Sequence, residues 1–148
     1  MNHDPNCLFC KIAAGEIPST KVHEDDEFVA FRDIRPAADT HVLVIPRKHL
    51  PTLSAVTADD APLLGRMMVL VARLAERLGC AYTGGETGFR TVINTGPGGG
   101  QEVYHLHAHI LAGPRPWRRM GWDEMAGGPP SERCRHGAGD LRRETGEV

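Results

Sequence analysis

Hydrophobic residues recur at two different spacings along the chain, and each spacing predicts a different kind of element. Between positions 59 and 79 the apolar side chains return every three or four residues, which is the period of one helical face. An aspartate at 59 or 60 can cap this helix and Gly79 can end it. A shorter helix is predicted at residues 7–14, with Gly15 as its C-terminal stop. The buried face of the long helix is predicted to comprise Leu64, Met67, Met68, Val71, Leu74, Ala75 and Leu78.

Five further segments have the β-branched and aromatic composition of strands, at residues 20–23, 27–31, 41–45, 89–94 and 103–111. The segment at 41–45 is almost entirely apolar, as expected of a central strand that is buried on both faces. The sequence therefore predicts an α+β domain, in which an antiparallel sheet of about five strands carries the long helix on one face.

The last predicted strand carries His105, His107 and His109 at alternate positions. Side chains on a strand alternate between its two faces, so we expect the three imidazoles to share one face, with the outer rings about 13 Å apart. The residues expected to face the core on the other side are Tyr104, Leu106, Ala108 and Ile110. A glycine-rich loop at residues 96–100 precedes this strand, and its backbone can approach an anionic ligand closely. A histidine row beside such a loop indicates chemistry at phosphorus.

Composition narrows the class of protein. The 148 residues suit one domain, and 17 basic against 19 acidic side chains argue against binding to a nucleic acid polymer. No segment approaches the roughly 20 apolar residues of a membrane span, and no secretory signal is visible, so we expect a cytoplasmic protein with no membrane partner. Residues 114–148 are rich in glycine, proline and charge, which predicts a largely disordered tail after a domain at 1–113. The exception is the stretch 117–125, which we expect to dock near the active site of a partner subunit; it contains Trp117, Met120, Trp122 and Met125.

Six short motifs follow one another in a fixed order. They are Leu-Phe-Cys-Lys-Ile at 8–12, Glu-Ile-Pro at 16–18, Phe-Arg-Asp-Ile at 31–34, Thr-His-Val-Leu-Val-Ile-Pro at 40–46, Gly-Gly-Gln-Glu-Val-Tyr at 99–104 and His-x-His-x-His at 105–109. In this order and spacing they resemble the histidine triad family, and most of all its Hint-type branch of nucleoside phosphoramidate hydrolases. The resemblance implies the HIT-like fold, a homodimer, a purine nucleotide substrate and cleavage of a P–N bond.

The resemblance also implies a role for each candidate site residue. His107 would be the nucleophile, while His109 and His41 would contact the phosphate and help the leaving group depart. Asp33 would accept hydrogen bonds from the ribose hydroxyls. The implied slot for the base comprises Leu8, Phe9, Ile12, Phe31 and Ile34, and the implied contacts near sugar and phosphate come from Asn94, Gly99, Gly100 and Gln101. Glu102 stands where much of the branch has serine, and a carboxylate is repelled by phosphate.

Attack at phosphorus sets a requirement on the His107 ring. A free imidazole is largely neutral near pH 7, and one ring nitrogen must be unprotonated while the other donates a hydrogen bond. In the family the acceptor is a backbone carbonyl. The alternatives that involve no catalysis are a buried histidine satisfied by the backbone, a turn-stabilising role for Asp33, and plain core packing for the apolar side chains.

Cys7 and Cys10 form a Cys-x-x-Cys pair, the usual first half of a tetrahedral zinc site. The resemblance implies that His49 and His105 supply the other two ligands and that the zinc is structural. The alternative is a pair of reduced thiols.

Two functions other than phosphoramidate hydrolysis are also compatible with the sequence. One is a hydrolase or transferase that acts on dinucleotide polyphosphates or other nucleotidyl donors, and the other is a nucleotide-binding scaffold protein.

Overall fold

The computed structural model describes residues 3–114, which form one antiparallel sheet with a helix on each face. The strands are ordered β1-β2-β3-β5-β4 across the sheet. The predicted α+β architecture, with five strands, one long helix and one short N-terminal helix, is confirmed. The elements are α1 (Leu8–Ala13), β1 (Lys21–Glu24), β2 (Phe28–Arg32), β3 (Thr40–Pro46), α2 (Ala61–Arg77), β4 (Arg90–Val92) and β5 (Ala108–Ala112), with short 3₁₀ turns at Leu53–Ala55, Ala58–Asp60 and Pro97–Gly99.

The sheet is covered on both faces. Alternate strand residues on one face pack against α2, whose buried side chains include Met67 and Leu74. The residues between them on the other face pack against α1, through Phe9 and Ile12. Every residue of β3 after Thr40 is buried, which confirms the central strand predicted from its apolar run. The candidate site lies on the face of the sheet that packs against α1.

The long helix begins and ends close to its predicted limits. Thr57 and Asp60 form a capping box ahead of it, and the Asp60 carboxylate also accepts a hydrogen bond from Lys48 Nζ at 2.8 Å. Its buried face differs from the prediction at both edges. Leu70 is buried although it was not predicted, Leu64 and Leu78 are only half-buried, and Met68, about 100° around the helix from Met67, is 41% exposed.

The last two strands are shorter than predicted. β5 starts at Ala108, so the segment 103–107 is not part of the sheet, and of the three histidines only His109 lies on a strand. Leu106 N–H donates to the carbonyl of Leu50 at 2.7 Å, a contact outside the strand ladder. Strand alternation therefore does not apply at Tyr104, which is 45% exposed rather than in the core. The prediction of one strand-borne row of three imidazoles is wrong for His105 and His107.

Candidate active site

His107 is held in one orientation by the backbone two residues before it. Its Nδ1 donates to the carbonyl oxygen of His105 at 2.7 Å, and a carbonyl can only accept, so Nδ1 carries the proton of the neutral ring. The lone pair is then on Nε2. Phe9 packs edge-on against the imidazole with ring centres 5.1 Å apart. Burial lowers the pKa of His107, although the His105 carbonyl and the Asp33 carboxylate act in the opposite direction. The neutral ring thus has one nitrogen, Nε2, with a free lone pair.

His41 and His109 form a hydrogen-bonded pair with a defined proton order. The backbone N–H of Ala37 donates to His41 Nδ1 at 2.9 Å, so the proton of the neutral His41 ring is on Nε2. His41 Nε2 in turn donates to His109 Nδ1 at 2.9 Å, which leaves the His109 proton on Nε2. Burial lowers the pKa of both rings, to about 4 for His109, where His107 and His41 act in the same direction and Asp33 opposes them.

The pairing of β3 with β5 brings these two rings together. His109 lies opposite Leu43, and His41 lies opposite Leu111, so the two histidines are diagonal neighbours on the same face. Their ring centres are 5.2 Å apart, and the His109 ring is 5.0 Å from that of His107. The site therefore presents a lone pair on His107 and an N–H on His109, side by side.

Asp33 directly follows β2 and faces the histidine pair. Its Oδ1 accepts the backbone N–H of Arg35 at 2.8 Å, as a turn-stabilising aspartate would. Its Oδ2 lies 3.4 Å from His41 Nε2 and is part of a group with His41 and His109 whose polar atoms lie within 4.8 Å of one another. A cation among these three is disfavoured, since His41 Nε2 already carries a proton. The predicted contact of Asp33 with ribose stays a prediction.

The glycine loop is braced by its own polar side chains. The Gln101 amide donates to the carbonyls of Pro51 and Val103 at 2.8 and 3.0 Å, and its oxygen accepts from Gly96 N–H at 3.0 Å. Asn94 Nδ2 donates to the Gly99 carbonyl at 2.6 Å. The structure thus places Gln101 and Asn94 as supports of the loop, and the substrate contacts predicted for both stay predictions.

The two backbone amides predicted to meet phosphate are also engaged within this loop. Gly99 N–H donates to the Gly96 carbonyl at 3.2 Å, and Gly100 N–H donates to the Pro97 carbonyl at 3.1 Å. Gly100 has φ +77°, a conformation that favours glycine. Glu102 is exposed beside the loop. A phosphate contact through any of these groups remains a prediction.

The apolar residues predicted for the base divide into two groups. Phe9, Ile12 and Phe31 are buried in the core beneath α1, so the core-packing interpretation describes them, although Phe9 also contacts His107. Leu8 is 44% exposed and Ile34 is 91% exposed. Those two are the apolar side chains of the predicted slot that are accessible to a ligand.

A second cluster joins Cys7, Cys10, His49 and His105, whose ligand atoms all lie within 4.8 Å of one another. His105 Nε2 donates to the Pro46 carbonyl at 2.7 Å, so its Nδ1 lone pair faces the cluster, 3.3 Å from Cys7 Sγ and 3.5 Å from Cys10 Sγ. His49 Nδ1 lies 3.4 Å from Cys10 Sγ and 3.2 Å from His105 Nδ1. Four soft or borderline donors converging in this way fit a tetrahedral zinc ion.

Main-chain and flanking groups also support the cluster. Cys10 N–H donates to Cys7 Sγ and Asp4 N–H donates to Cys10 Sγ, each at 3.4 Å. The Asp4 carboxylate lies 3.9 Å from His49 Nε2, a position from which it can orient that ring. Burial raises the pKa of the Cys10 thiol to about 11, so without a cation this sulfur keeps its proton at neutral pH.

Comparison with known proteins assigns the family. The family model for the HIT domain matches residues 14–115. The chain belongs to the HIT domain family. Among its HIT relatives, the protein HitA from Neisseria gonorrhoeae is 51% identical over 109 residues, which cover 74% of this chain and 97% of the relative. Purine nucleoside phosphoramidase of Escherichia coli strain K12 is 48% identical over 106 residues, covering 72% of this chain and 86% of that enzyme.

Solved HIT structures share the fold. A HIT family hydrolase from Legionella pneumophila has a TM-score of 0.72 and 50% identity, covering 80% of this chain and 99% of its own. A zinc-bound histidine triad family protein from Mycobacterium smegmatis has a TM-score of 0.61 and 29% identity, covering 74% of this chain and 76% of its own. The HIT match begins after Cys7 and Cys10, and the predicted tail at 114–148 lies outside the described residues except for Pro114, so the predicted domain limits stay predictions. Within the described part of the HIT chain, no helix has the length and hydropathy to cross a membrane.

Three groups that shape this HIT site were not predicted from the sequence. They are the Ala37 N–H that fixes His41, the Pro46 carbonyl that orients His105, and the Asp4 carboxylate beside His49. Two of them are main-chain groups: every residue type offers a carbonyl, as Pro46 does, and every type except proline offers an N–H. The role of Asp4 has one signal in the sequence, which is that it precedes the Cys-x-x-Cys pair by three residues.

Proposed function

We propose that this HIT protein is a nucleotide hydrolase that cleaves the P–N bond of purine nucleoside 5′-phosphoramidates through a nucleotidyl-histidine intermediate on His107. The observation that carries the proposal is the His107 ring, with Nδ1 bonded to a carbonyl and Nε2 free, beside the N–H of His109. The 48% identity to a purine nucleoside phosphoramidase supports the same chemistry.

Two displacements account for the reaction. In the first, His107 Nε2 bonds to phosphorus as the P–N bond breaks, and the electron pair of that bond leaves with the amine, which takes up one proton. The intermediate is a phosphorylated imidazolium whose Nδ1–H still donates to the His105 carbonyl, now as a stronger, charge-assisted bond. In the second, a water oxygen bonds to phosphorus and loses a proton, the bond to His107 breaks, and the nucleoside monophosphate departs.

The surroundings of His107 support a nucleotide as substrate. Asp33 has an oxygen facing the site and can accept hydrogen bonds from a ribose, while Leu8 and Ile34 offer exposed apolar surface for a base. His109, supported by His41, can donate to a phosphoryl oxygen. Glu102 is an exposed carboxylate, and because a carboxylate is repelled by phosphate we assign it no phosphate contact.

We also propose a structural zinc ion held by Cys7, Cys10, His49 and His105. When bound, zinc would cross-link these four side chains without taking part in the reaction. The lone pair of His105 Nδ1 and the two sulfurs that accept backbone N–H groups form a donor set that suits it. The residues themselves tie α1 to the end of β3 and to the segment before β5.

A homodimer is a further part of the proposal. β4 lies at the edge of the sheet, and its outer side has no strand partner within residues 3–114. Val69, Tyr82 and Phe89 are exposed apolar side chains in the described part of the chain. Light scattering on the purified protein tests this, and a monomer at micromolar concentration would contradict it. A cytoplasmic location stays a prediction.

The decisive experiment uses His107→Asn, with His23→Asn as a control at a histidine outside the site. An adenosine 5′-phosphoramidate is offered to each protein, and both turnover and the intact mass during turnover are recorded. We expect the native protein and the control to release adenosine monophosphate and to show a nucleotide adduct, and His107→Asn to show neither while still binding the product. Near-normal turnover by His107→Asn would refute the mechanism. Turnover of dinucleotide polyphosphates alone would assign the site to that reaction, and no turnover of either would leave a binding protein.

A further inference from the structure

The histidine pair ends at a group that does not titrate near neutral pH. The backbone amide of Ala37, in the loop between β2 and β3, faces His41 Nδ1 at 2.9 Å and donates to it. An amide N–H does not ionise near neutral pH, so it acts as a fixed donor. The order that follows is Ala37 N–H to His41 Nδ1, His41 Nε2–H to His109 Nδ1, and a proton on His109 Nε2.

We propose that the Ala37 amide fixes His109 as a hydrogen-bond donor to a phosphoryl oxygen, and that His109 is not the acid that protonates the leaving amine. The proposal rests on the proposed function and refines it. Ala37 is a positioning residue in this scheme, because it acts on His109 through its hydrogen bond to His41.

Proton accounting supports this assignment. If His109 Nε2 gave its proton to the amine, the ring would become an anion unless Nδ1 took the proton of His41 Nε2. His41 would then be the anion, because the group at its Nδ1 is the Ala37 amide, which cannot supply a proton. The two histidines therefore cannot pass a proton to the leaving amine, because the Ala37 amide cannot replace the proton that His41 would give up.

The other route to an acid is a doubly protonated His109, and the same contact disfavours it. A proton on His109 Nδ1 would point at His41 Nε2, which would need a lone pair and hence a proton on His41 Nδ1. That proton would face the Ala37 N–H at close range. Among residues 3–114, the other charged or titratable groups that face the pair are Asp33, whose Oδ2 lies 3.4 Å from His41 Nε2, and His107. Asp33 can only accept from His41 Nε2, so it favours the same proton order.

Water supplies the proton in this scheme, and the atoms balance. One water molecule gives a proton to the leaving nitrogen as the P–N bond breaks, and its oxygen is the atom that bonds to phosphorus in the second displacement. His109 keeps its proton throughout and stabilises the charge that develops on the phosphoryl oxygen.

The dependence of the rate on the leaving group tests the claim that His109 does not protonate the leaving amine. His109→Ala is compared with the native protein on two adenosine 5′-monophosphate derivatives, an alkylamine phosphoramidate and a p-nitrophenyl ester, whose phenolate needs no proton to leave. A hydrogen-bond donor to phosphate serves both substrates, so we expect kcat/KM to fall by the same factor for each. A general acid contributes roughly 10²- to 10⁴-fold and serves only the amine. A loss on the amine that exceeds the loss on the ester by tenfold or more would overturn the proposal, and a smaller difference supports it.

The tautomers of His41 and His109 test the proposed proton order, and this test does not require turnover. In ¹⁵N-labelled native protein we expect His41 and His109 each to carry the proton on Nε2; a proton on His41 Nδ1 would overturn the proposal. Ala37→Pro removes the donor and Ala37→Gly keeps it. We expect the proline variant alone to shift His41 toward the Nδ1–H form and to lose at least tenfold in kcat on the phosphoramidate, with product affinity unchanged. If the proline variant does not fold, the native spectrum decides. If the native protein turns over neither substrate, the proposed function fails while the tautomers still report on the pair.

Discussion

Zinc removal should destabilise the protein far more than the loss of one buried thiol. The four proposed ligands meet only in the folded chain, because Cys10 is 39 residues from His49 and 95 from His105. A ligand that binds only the folded state stabilises it by about 4 kcal/mol at 1,000 times its Kd. For a domain of this size about 1 kcal/mol changes the Tm by roughly 3–6 °C. We therefore expect chelation, or Cys10→Ser, to lower the Tm by about 12–24 °C.

Cys80→Ser provides the matched control. Cys80 is also buried, and its Sγ donates to the Ala75 carbonyl, but it lies outside the cluster. Thermal unfolding followed by circular dichroism, with zinc content measured on the same samples, should show about one zinc per chain in the native and Cys80→Ser proteins and less in Cys10→Ser. Because burial raises the pKa of Cys10 to about 11, zinc must displace its proton, and affinity should rise with pH. Equal Tm values with and without chelator, or no zinc in protein purified without chelators, would refute the reasoning.

Three other outcomes can be checked. Asp33→Asn should weaken binding of a ribonucleotide product by roughly tenfold, as expected for a charge-assisted hydrogen bond, with little effect on the 2′-deoxy analogue; equal losses on both would contradict the ribose contact. Burial lowers the pKa of His109 to about 4, below the roughly 6.5 of a histidine in the unfolded chain, so the contribution of this ring to the free energy of unfolding is full above pH 6.5 and is lost as the pH falls toward 4. Urea unfolding at a series of pH values should therefore show a smaller loss of stability between pH 6.5 and 4 in His109→Gln than in the native protein. An equal loss in the two proteins would count against this reasoning. Deleting residues 127–148 should leave Tm and turnover nearly unchanged, since the stretch has few apolar residues to pack, and a large fall in Tm would show that it is ordered.

The parts of the fold with a strong periodic signal could be predicted from the sequence. The apolar run at 41–45 and the helical period at 64–78 each imply one buried environment, and β3 and α2 were correctly placed. The segment 103–107 has the same alternation as a strand, yet its Leu106 N–H bonds to Leu50 instead of a neighbouring strand. Alternation cannot report which partner a backbone N–H finds, and so the start of β5 was wrong by five residues.

The candidate site shows the same limit. The side chains of His41, His107 and His109 could be named from their motifs, and the structure brings them together. Their proton order depends on the Ala37 N–H and the His105 carbonyl, which no residue type encodes. Gln101 is a second example, since its three hydrogen bonds to the protein's own backbone depend on where the chain brings Pro51, Gly96 and Val103, which its place in a glycine loop does not reveal.

The diagonal placement of His41 and His109 has a consequence for how the chain tolerates changes of length. Both rings lie on one face because Leu43 pairs with His109, and a slip of one residue between β3 and β5 would turn one imidazole toward α2. A single-residue insertion within either strand should therefore abolish the pair, and it would also move the strand residues beyond the insertion to the opposite face of the sheet. The exposed connection between α2 and β4, residues 81–89, lies outside this register. Insertions, tags or new chain termini placed there should leave the pairing of the two strands, and with it the two histidines, unchanged.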